Sequence, residues 1–257
     1  MLAIQTLGLT RFFDGRPAVQ DLALEVPEGA FYGFLGPNGA GKSTTMKMLT
    51  GLIAPTSGSA RVLGVELAHD GQAVKRLVGV VPDGLNLFER LTGAEHLRIH
   101  GQLYGLPRRE SERRAQELLD TLELTGEADK LVQDFSHGMK KKLALGCALI
   151  HGPRLLFLDE PFEGIDAVAV SGIRRMLQGL VARGAITIFL TSHVLEVVER
   201  LVTHVGIIHH GRLVMQGTLD AVRAAGTLEE TFIQAVGDSR PEPQGLSWLG
   251  GHPAEGR

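Results

Sequence analysis

One cysteine, Cys147, occurs in 257 residues, so no disulfide can form within a single chain. It lies in an apolar helical run, where a thiol acts as a small core side chain. Positive charge is not in excess: 26 Lys and Arg against 29 Asp and Glu leave a net charge of −3. A nucleic-acid partner calls for a basic face, and none is expected here. No apolar run approaches the roughly 18–20 residues that span a bilayer. The start of the chain lacks the basic and apolar stretches of a signal peptide. These absences predict a soluble, cytoplasmic chain whose membrane role, if any, comes through a partner. At 44% hydrophobic and 21% charged residues, the composition is that of an ordinary globular protein.

Against this background one stretch organises the rest: Gly36-Pro37-Asn38-Gly39-Ala40-Gly41-Lys42-Ser43, which fits G-x-x-x-x-G-K-[ST]. Glycines at 36, 39 and 41 let the backbone take positive φ and approach an anion closely. Successive N–H groups then form a nest for phosphates. Lys42 adds a point charge, and the Ser43 hydroxyl suits Mg²⁺. Ahead of the loop, residues 30–35 read as a short buried strand. Behind it, Thr44 to Thr50 reads as a helix stopped by Gly51. That order also brings the helix dipole onto the phosphate. The expected ligand is a nucleoside triphosphate.

Residues 1–36 alternate short apolar runs, Leu2 to Leu9, Leu22 to Val26 and Phe31 to Leu35, with turns predicted at Pro17 and at Pro27-Glu28-Gly29. Strands are expected at Ser59 to Leu63 and Leu77 to Val81. Residues 91–134 differ in texture. Thr92-Gly93-Ala94-Glu95 is a capping box, and Arg108 to Leu124 sets Ala115, Leu118, Leu119 and Leu122 on one face. From Phe135 the pattern alternates: helix to Ile150, strand Leu155 to Leu158, helix Val168 to Arg183, strand Ala185 to Thr191. Such alternation predicts a parallel sheet with helices on both faces. A hairpin at 205–215 and a capped helix from Thr227 follow. The predicted architecture is therefore α/β: a mixed, largely parallel sheet, an N-terminal antiparallel β layer and a helical insert. The folded domain is expected over 1–235, and 236–257 as a flexible tail.

Leu155-Leu156-Phe157-Leu158 ends in the carboxylates Asp159 and Glu160. Ligands bind at the carboxyl ends of parallel strands, which suits Asp159 to a metal shared with Ser43. Glu160 is then placed to take a proton from water. His193 follows the next strand, where a phosphate donor or a capping residue both fit. Ser136 is a good N-cap for a helix with Lys140, Lys141 and Lys142 in its first turn. On residue chemistry alone these read as solvated lysines on a capped helix.

In this order the motifs resemble the nucleotide-binding subunit of an ABC transporter, over about residues 2 to 235. The P-loop NTPase fold is then implied. Leu9-Thr10-Arg11-Phe12-Phe13 is similar to the family's A-loop, which makes Phe13 the aromatic that stacks on adenine. Residues Gly36 to Ser43 are its Walker A motif, with Thr44 adjoining. Phe135-Ser136-His137-Gly138-Met139 resembles the signature, Ser136 and Gly138 keeping the phosphate-contacting positions while His137 and Met139 replace Gly and Gln. Asp159 and Glu160 match Walker B and the catalytic glutamate; Asp166 matches the D-loop aspartate and His193 the H-loop histidine. Asp83 stands where the family commonly has the Q-loop glutamine, and an ionised Asp cannot donate a hydrogen bond.

The resemblance implies an ATPase using ATP and Mg²⁺, working as a dimer with a second copy or a paralogue. Its site lies at the inner face of the membrane, where a separate permease is driven in an export direction. A soluble ABC ATPase of a non-transport assembly, such as iron–sulfur cluster building, is the rival. A slowly hydrolysing regulatory module is a further one.

Overall fold

The computed structural model describes residues 1–184, 186–224 and 226–237. Most of the expected tail therefore lies outside the described residues.

The chain opens with a long strand, β1 (Leu2–Phe13), which turns back at Asp14-Gly15 into β2 (Arg16–Leu22). Both turn residues have positive φ, 48° and 76°, the type I′ geometry that matches strand twist. Pro17 was expected in a turn but sits inside β2 instead. It is tolerated because β2 is an edge strand and edges can spare an N–H. The run Leu22 to Val26 is also not one strand. Asp21 takes φ 49°, and pairing with β1 resumes only at β3 (Glu25–Pro27). The Thr6 hydroxyl bridges the break, donating to Leu22 O at 2.7 Å and accepting from Leu24 N at 2.8 Å.

After β3 come β4 (Phe31–Leu35), α1 (Lys42–Leu49), β5 (Ser57–Val62), β6 (Val65–Glu66), α2 (Leu67–Leu77) and β7 (Val78–Val81). Helix α2 has no counterpart in the sequence reading. Its apolar residues are few, with Val74 buried and Leu67 packed against the same core, and Gly71 interrupts it. It kinks at Asp70, whose carboxylate accepts from Ala73 N at 2.9 Å. The insert follows with α3 (Gly93–Leu103) and α4 (Arg108–Thr121), then α5 (His137–Leu149) returns the chain to the core. The Thr92–Glu95 capping box forms in both directions. Ser111, Ala115 and Leu119 bury one face of α4, while Arg108–Glu112 and Arg113–Glu110 pairs decorate the other. Such exposed pairs add only about 0.2–0.5 kcal/mol each.

The chain ends with β8 (Leu155–Asp159), α6 (Ala167–Ala182), β9 (Thr187–Ser192), α7 (Leu195–Glu199), β10 (His204–His209), β11 (Arg212–Thr218), α8 (Leu219–Arg223) and α9 (Leu228–Val236). Two sheets result. One runs β2-β1-β5-β6, antiparallel, with β3 also on β1. The other runs β11-β10-β4-β9-β8-β7, parallel except for the β10–β11 hairpin.

Alternation along the parallel strands sends side chains into two cores. Phe31, Leu35, Leu156, Leu158, Ile188 and Leu190 face the helical layer with α5. Tyr32, Phe34, Phe157 and Phe189 face α1 and the antiparallel sheet. Phe189 is the hub of the second core, its ring 5.3 Å from Phe34, 5.5 Å from Phe157 and 5.7 Å from Tyr32. Truncating such a residue to Ala costs about 3–5 kcal/mol. With both faces covered, ligand access is left to the strand ends.

Candidate active site

β4, β7, β8 and β9 run parallel, so their carboxyl ends meet on one edge. The glycine loop leaves β4 there, Asp83 follows β7, Asp159 ends β8, and His193 follows β9. An open cavity of about 390 Å³ occupies this edge, lined by 37–44, Asp83, Asp159, Glu160, Glu163, His193 and Ala18.

The loop needs its glycines for space and conformation. A Cβ at Gly36 would meet Ile208 O at 2.4 Å. Gly41 takes φ 108°, with its Cβ position 2.6 Å from Ala18 O. Gly41 is the N-cap of α1 and offers no side chain to the first-turn N–H groups, so that end of the helix is left bare to face an anion. Lys42 is buried, and its ammonium donates to Gly36 O at 2.7 Å and stands 3.6 Å from Glu160 Oε1.

Asp159 is buried and accepts from the Thr191 hydroxyl, with the Ser43 hydroxyl 3.4 Å from the same Oδ1. Glu160 takes φ 46°, a left-handed conformation that a non-glycine residue holds only under constraint. Its N–H donates to Thr191 O at 3.2 Å. Its carboxylate lies 3.0 Å from His193 Nδ1 and accepts from His193 N at 3.4 Å.

The donor set fits a magnesium nucleotide. A hydroxyl and a carboxylate oxygen together are hard ligands of the kind Mg²⁺ takes. Among the described residues no cluster of three or more His, Cys, Asp or Glu forms an all-protein metal cage.

Other expected site residues stand apart. Ser136 caps α5, accepting from Met139 N at 3.2 Å, and is exposed. Gly138 lies against Ile165 and Asp166, and Asp166 caps α6 by accepting from Ala169 N at 3.0 Å. Phe13 is 43% exposed, with the Arg11 guanidinium 4.6 Å from its ring centre. None of these four lines the cavity.

Three residues were missed. Thr191 is fully buried and serves both Asp159 and the Glu160 N–H; a hydroxyl ending an apolar strand was its only signal. Glu163 lines the cavity, three positions beyond Glu160. Lys141, expected among solvated lysines, is instead buried and donates to Glu160 O at 2.7 Å. Burial pulls its pKa down; the carboxylates of Asp83, Glu163, Glu160 and Asp159 act the other way.

The family model described as ABC transporter matches residues 19–163, from β2 through the Asp159-Glu160 turn. The chain belongs to the ABC transporter family. Within it, the bacitracin transport ATP-binding protein BcrA of Bacillus licheniformis is 39% identical over 86% of this chain and 71% of its own. A Nod factor export ATP-binding protein of Mesorhizobium japonicum is 38% identical over 84% of this chain and 63% of its own. A solved ATP-binding subunit of an ABC transporter superposes with a TM-score of 0.83 at 32% identity, covering 91% of this chain and 99% of that one. This chain is thus an ABC transporter ATP-binding subunit with the P-loop NTPase fold, and ATP hydrolysis is its family's activity. Among the described residues no helix is long and apolar enough to cross a membrane.

Proposed function

We propose that this subunit hydrolyses Mg²⁺-bound ATP at the sheet edge to drive export through a separate permease, itself lying peripherally on the cytoplasmic membrane face. One observation carries the chemistry: Lys42 and His193 both converge on the Glu160 carboxylate, inside the cavity walled by the glycine loop. Phosphate entering the bare N-terminus of α1 competes with Gly36 O and Glu160 for the Lys42 ammonium. Once Lys42 turns to phosphate, the Glu160 carboxylate is free to accept a proton from water. His193 keeps that carboxylate oriented and supplies a donor near the γ-phosphate. Ser43 and Asp159 would hold Mg²⁺, which when bound would draw charge from the phosphates. Phe13 gives a face for adenine, and Asp83 a carboxylate at the mouth of the cavity.

Ser136 and Gly138 lie outside this cavity, so their phosphate belongs to another subunit. A two-fold pair, homodimeric or with a paralogue, gives each ATP one loop and one signature. Asp166, packed by Gly138, then sits at that junction. The direction of transport rests on relatives named for export. Nothing in the net charge of −3 favours nucleic acid.

The test is Glu160→Gln in the purified chain. ATP affinity is expected to hold while turnover falls about 10²–10⁴-fold. EDTA should abolish wild-type turnover, and added Mg²⁺ restore it. Near-normal turnover in Glu160→Gln would mean that another group activates the water.

A further inference from the structure

Three successive lysines, Lys140 to Lys142, occupy the fourth to sixth positions of α5, and each finds a different partner. Lys140 approaches Glu89 at 3.7 Å and Lys142 pairs with Glu123 at 3.0 Å, both acceptors being exposed side chains. Lys141 is only 4% exposed. Among the described residues its ammonium reaches no carboxylate at ion-pair distance, but it donates to the backbone carbonyl of Glu160 at 2.7 Å. A buried cation normally seeks a paired charge, so spending it on a neutral carbonyl marks that carbonyl as the point held.

Glu160 needs holding. Its φ of 46° survives only where surroundings over-determine it. On the N–H side Thr191 supplies both its carbonyl and its hydroxyl, at 3.2 and 3.3 Å. On the carbonyl side stands Lys141. His137 and Lys141, four apart, share one face of α5, and His137 lies against Gly164. That face runs along the segment from Glu160 to Asp166.

We propose that Lys141 is a positioning residue: it fixes the Glu160 peptide, tying the carboxylate in the cavity to the helix capped by Ser136. The inference rests on Glu160 acting as the base. Movement of the Ser136 tip onto a partner's nucleotide would then be felt at this subunit's own carboxylate, one and a half turns along α5.

The experiment compares Lys141→Met, which keeps the stem and removes the donor, with Lys141→Arg, which keeps a cationic donor. Lys141→Met is expected to lower kcat about 10²-fold, the cost of ångström-scale misplacement, with KM for ATP unchanged within about twofold. Lys141→Arg should recover most of that loss. Added to Glu160→Gln, Lys141→Met should cost less than about threefold more, because both lesions disable one group. Unchanged kcat in Lys141→Met, a parallel rise in KM, or full additivity with Glu160→Gln overturns the proposal. If Lys141→Met does not fold, Lys141→Leu, which also lacks a donor, takes its place in the same cycle. Full turnover in Glu160→Gln alone would sink the reading of Glu160. Loss there with none in Lys141→Met sinks only the role of Lys141.

Discussion

Helices α1 and α5 both begin beside glycine and carry lysine near the start, yet their N-termini are finished in opposite ways. α1 starts at Gly41 with no side-chain cap, its N–H groups open to a walled cavity and Lys42 buried beside Glu160. α5 starts at Ser136, whose hydroxyl already serves Met139 N on an exposed surface. Three cations at the positive end of α5 oppose its dipole. Protein groups answer them: Glu89, the Glu160 carbonyl and Glu123. One helix end thus has no side-chain cap of its own. The other is satisfied within its own chain, although the Ser136 hydroxyl keeps a proton to donate. On the proposed two-fold pair, this difference would leave each chain with a complete binding loop and half of a closed site.

The harshest way to break this comparison is to spoil the outer end alone. Ser136→Arg puts bulk where α5 would meet a partner's phosphate and leaves α1 intact. Hydrolysis and ATP-driven pairing should fall to background in light scattering and phosphate-release assays, while the monomer still binds ATP. Mixed with Lys42→Ala chains, it forms a heterodimer with one doubly damaged and one intact site. Recovery of ATP-dependent pairing in the mixture is expected. No such pairing, where wild type pairs, contradicts the shared site.

Spoiling the inner end has a different signature. Lys42→Ala removes a charge-assisted bond worth about 1.5–3 kcal/mol, so ATP affinity should fall roughly ten- to a hundredfold. Far-ultraviolet dichroism should stay unchanged. Equal affinity in a titration would detach Lys42 from phosphate.

A finer cut sharpens the contrast, because the inner end is backed by the buried Thr191. Thr191→Val deletes the hydroxyl that donates to Asp159 and accepts from Glu160 N. A buried bond to a charged group is worth about 1.5–3 kcal/mol, so turnover should drop about tenfold or more, with Thr191→Ser close to wild type. Identical rates for Val and Ser would make the hydroxyl idle.

The same contrast shows what the sequence could and could not convey. Gly36 to Ser43, Asp159 and Glu160 were legible because phosphate chemistry demands fixed residue types at fixed spacing. So were the capping box at Thr92 and the alternating strands, whose periods follow from geometry. Lys141 was not legible: three lysines in a row look alike until packing separates them. Thr191 was hidden because its partners lie 31 and 32 positions away. Helix α2 is short of apolar residues and kinked at Asp70, and the β2–β3 break depends on Asp21 leaving the strand conformation. What failed to show was contact between distant segments, which no local pattern encodes.

The smallest expected effect lies away from both helix ends, in the insert, and is a pH dependence of stability. His96 is 1% exposed. Its Nε2 accepts from Phe88 N at 2.9 Å while Nδ1 donates to Thr92 O at 3.3 Å. One acceptor and one donor define a neutral ring, and protonation would turn the acceptor against the Phe88 N–H. Burial holds its pKa below the ordinary histidine value, the Thr92 carbonyl and Glu95 opposing more weakly. His100, stacked 6.3 Å away, and His151, on Tyr104 at 3.7 Å, are also lowered chiefly by burial. With folded pKa values below the unfolded ones, the unfolded chain binds more protons as pH falls, so stability declines. The decline should begin near the unfolded histidine value of about 6.5 and continue toward the folded values. His96→Gln keeps an acceptor and a donor but does not titrate. Thermal melts between pH 8 and 5 should therefore show a shallower loss of Tm for His96→Gln than for wild type, with His100, His151, His204 and His209, all lowered chiefly by burial, contributing to the slope that remains. Equal slopes would mean that the clasp on Phe88 tolerates a charged ring.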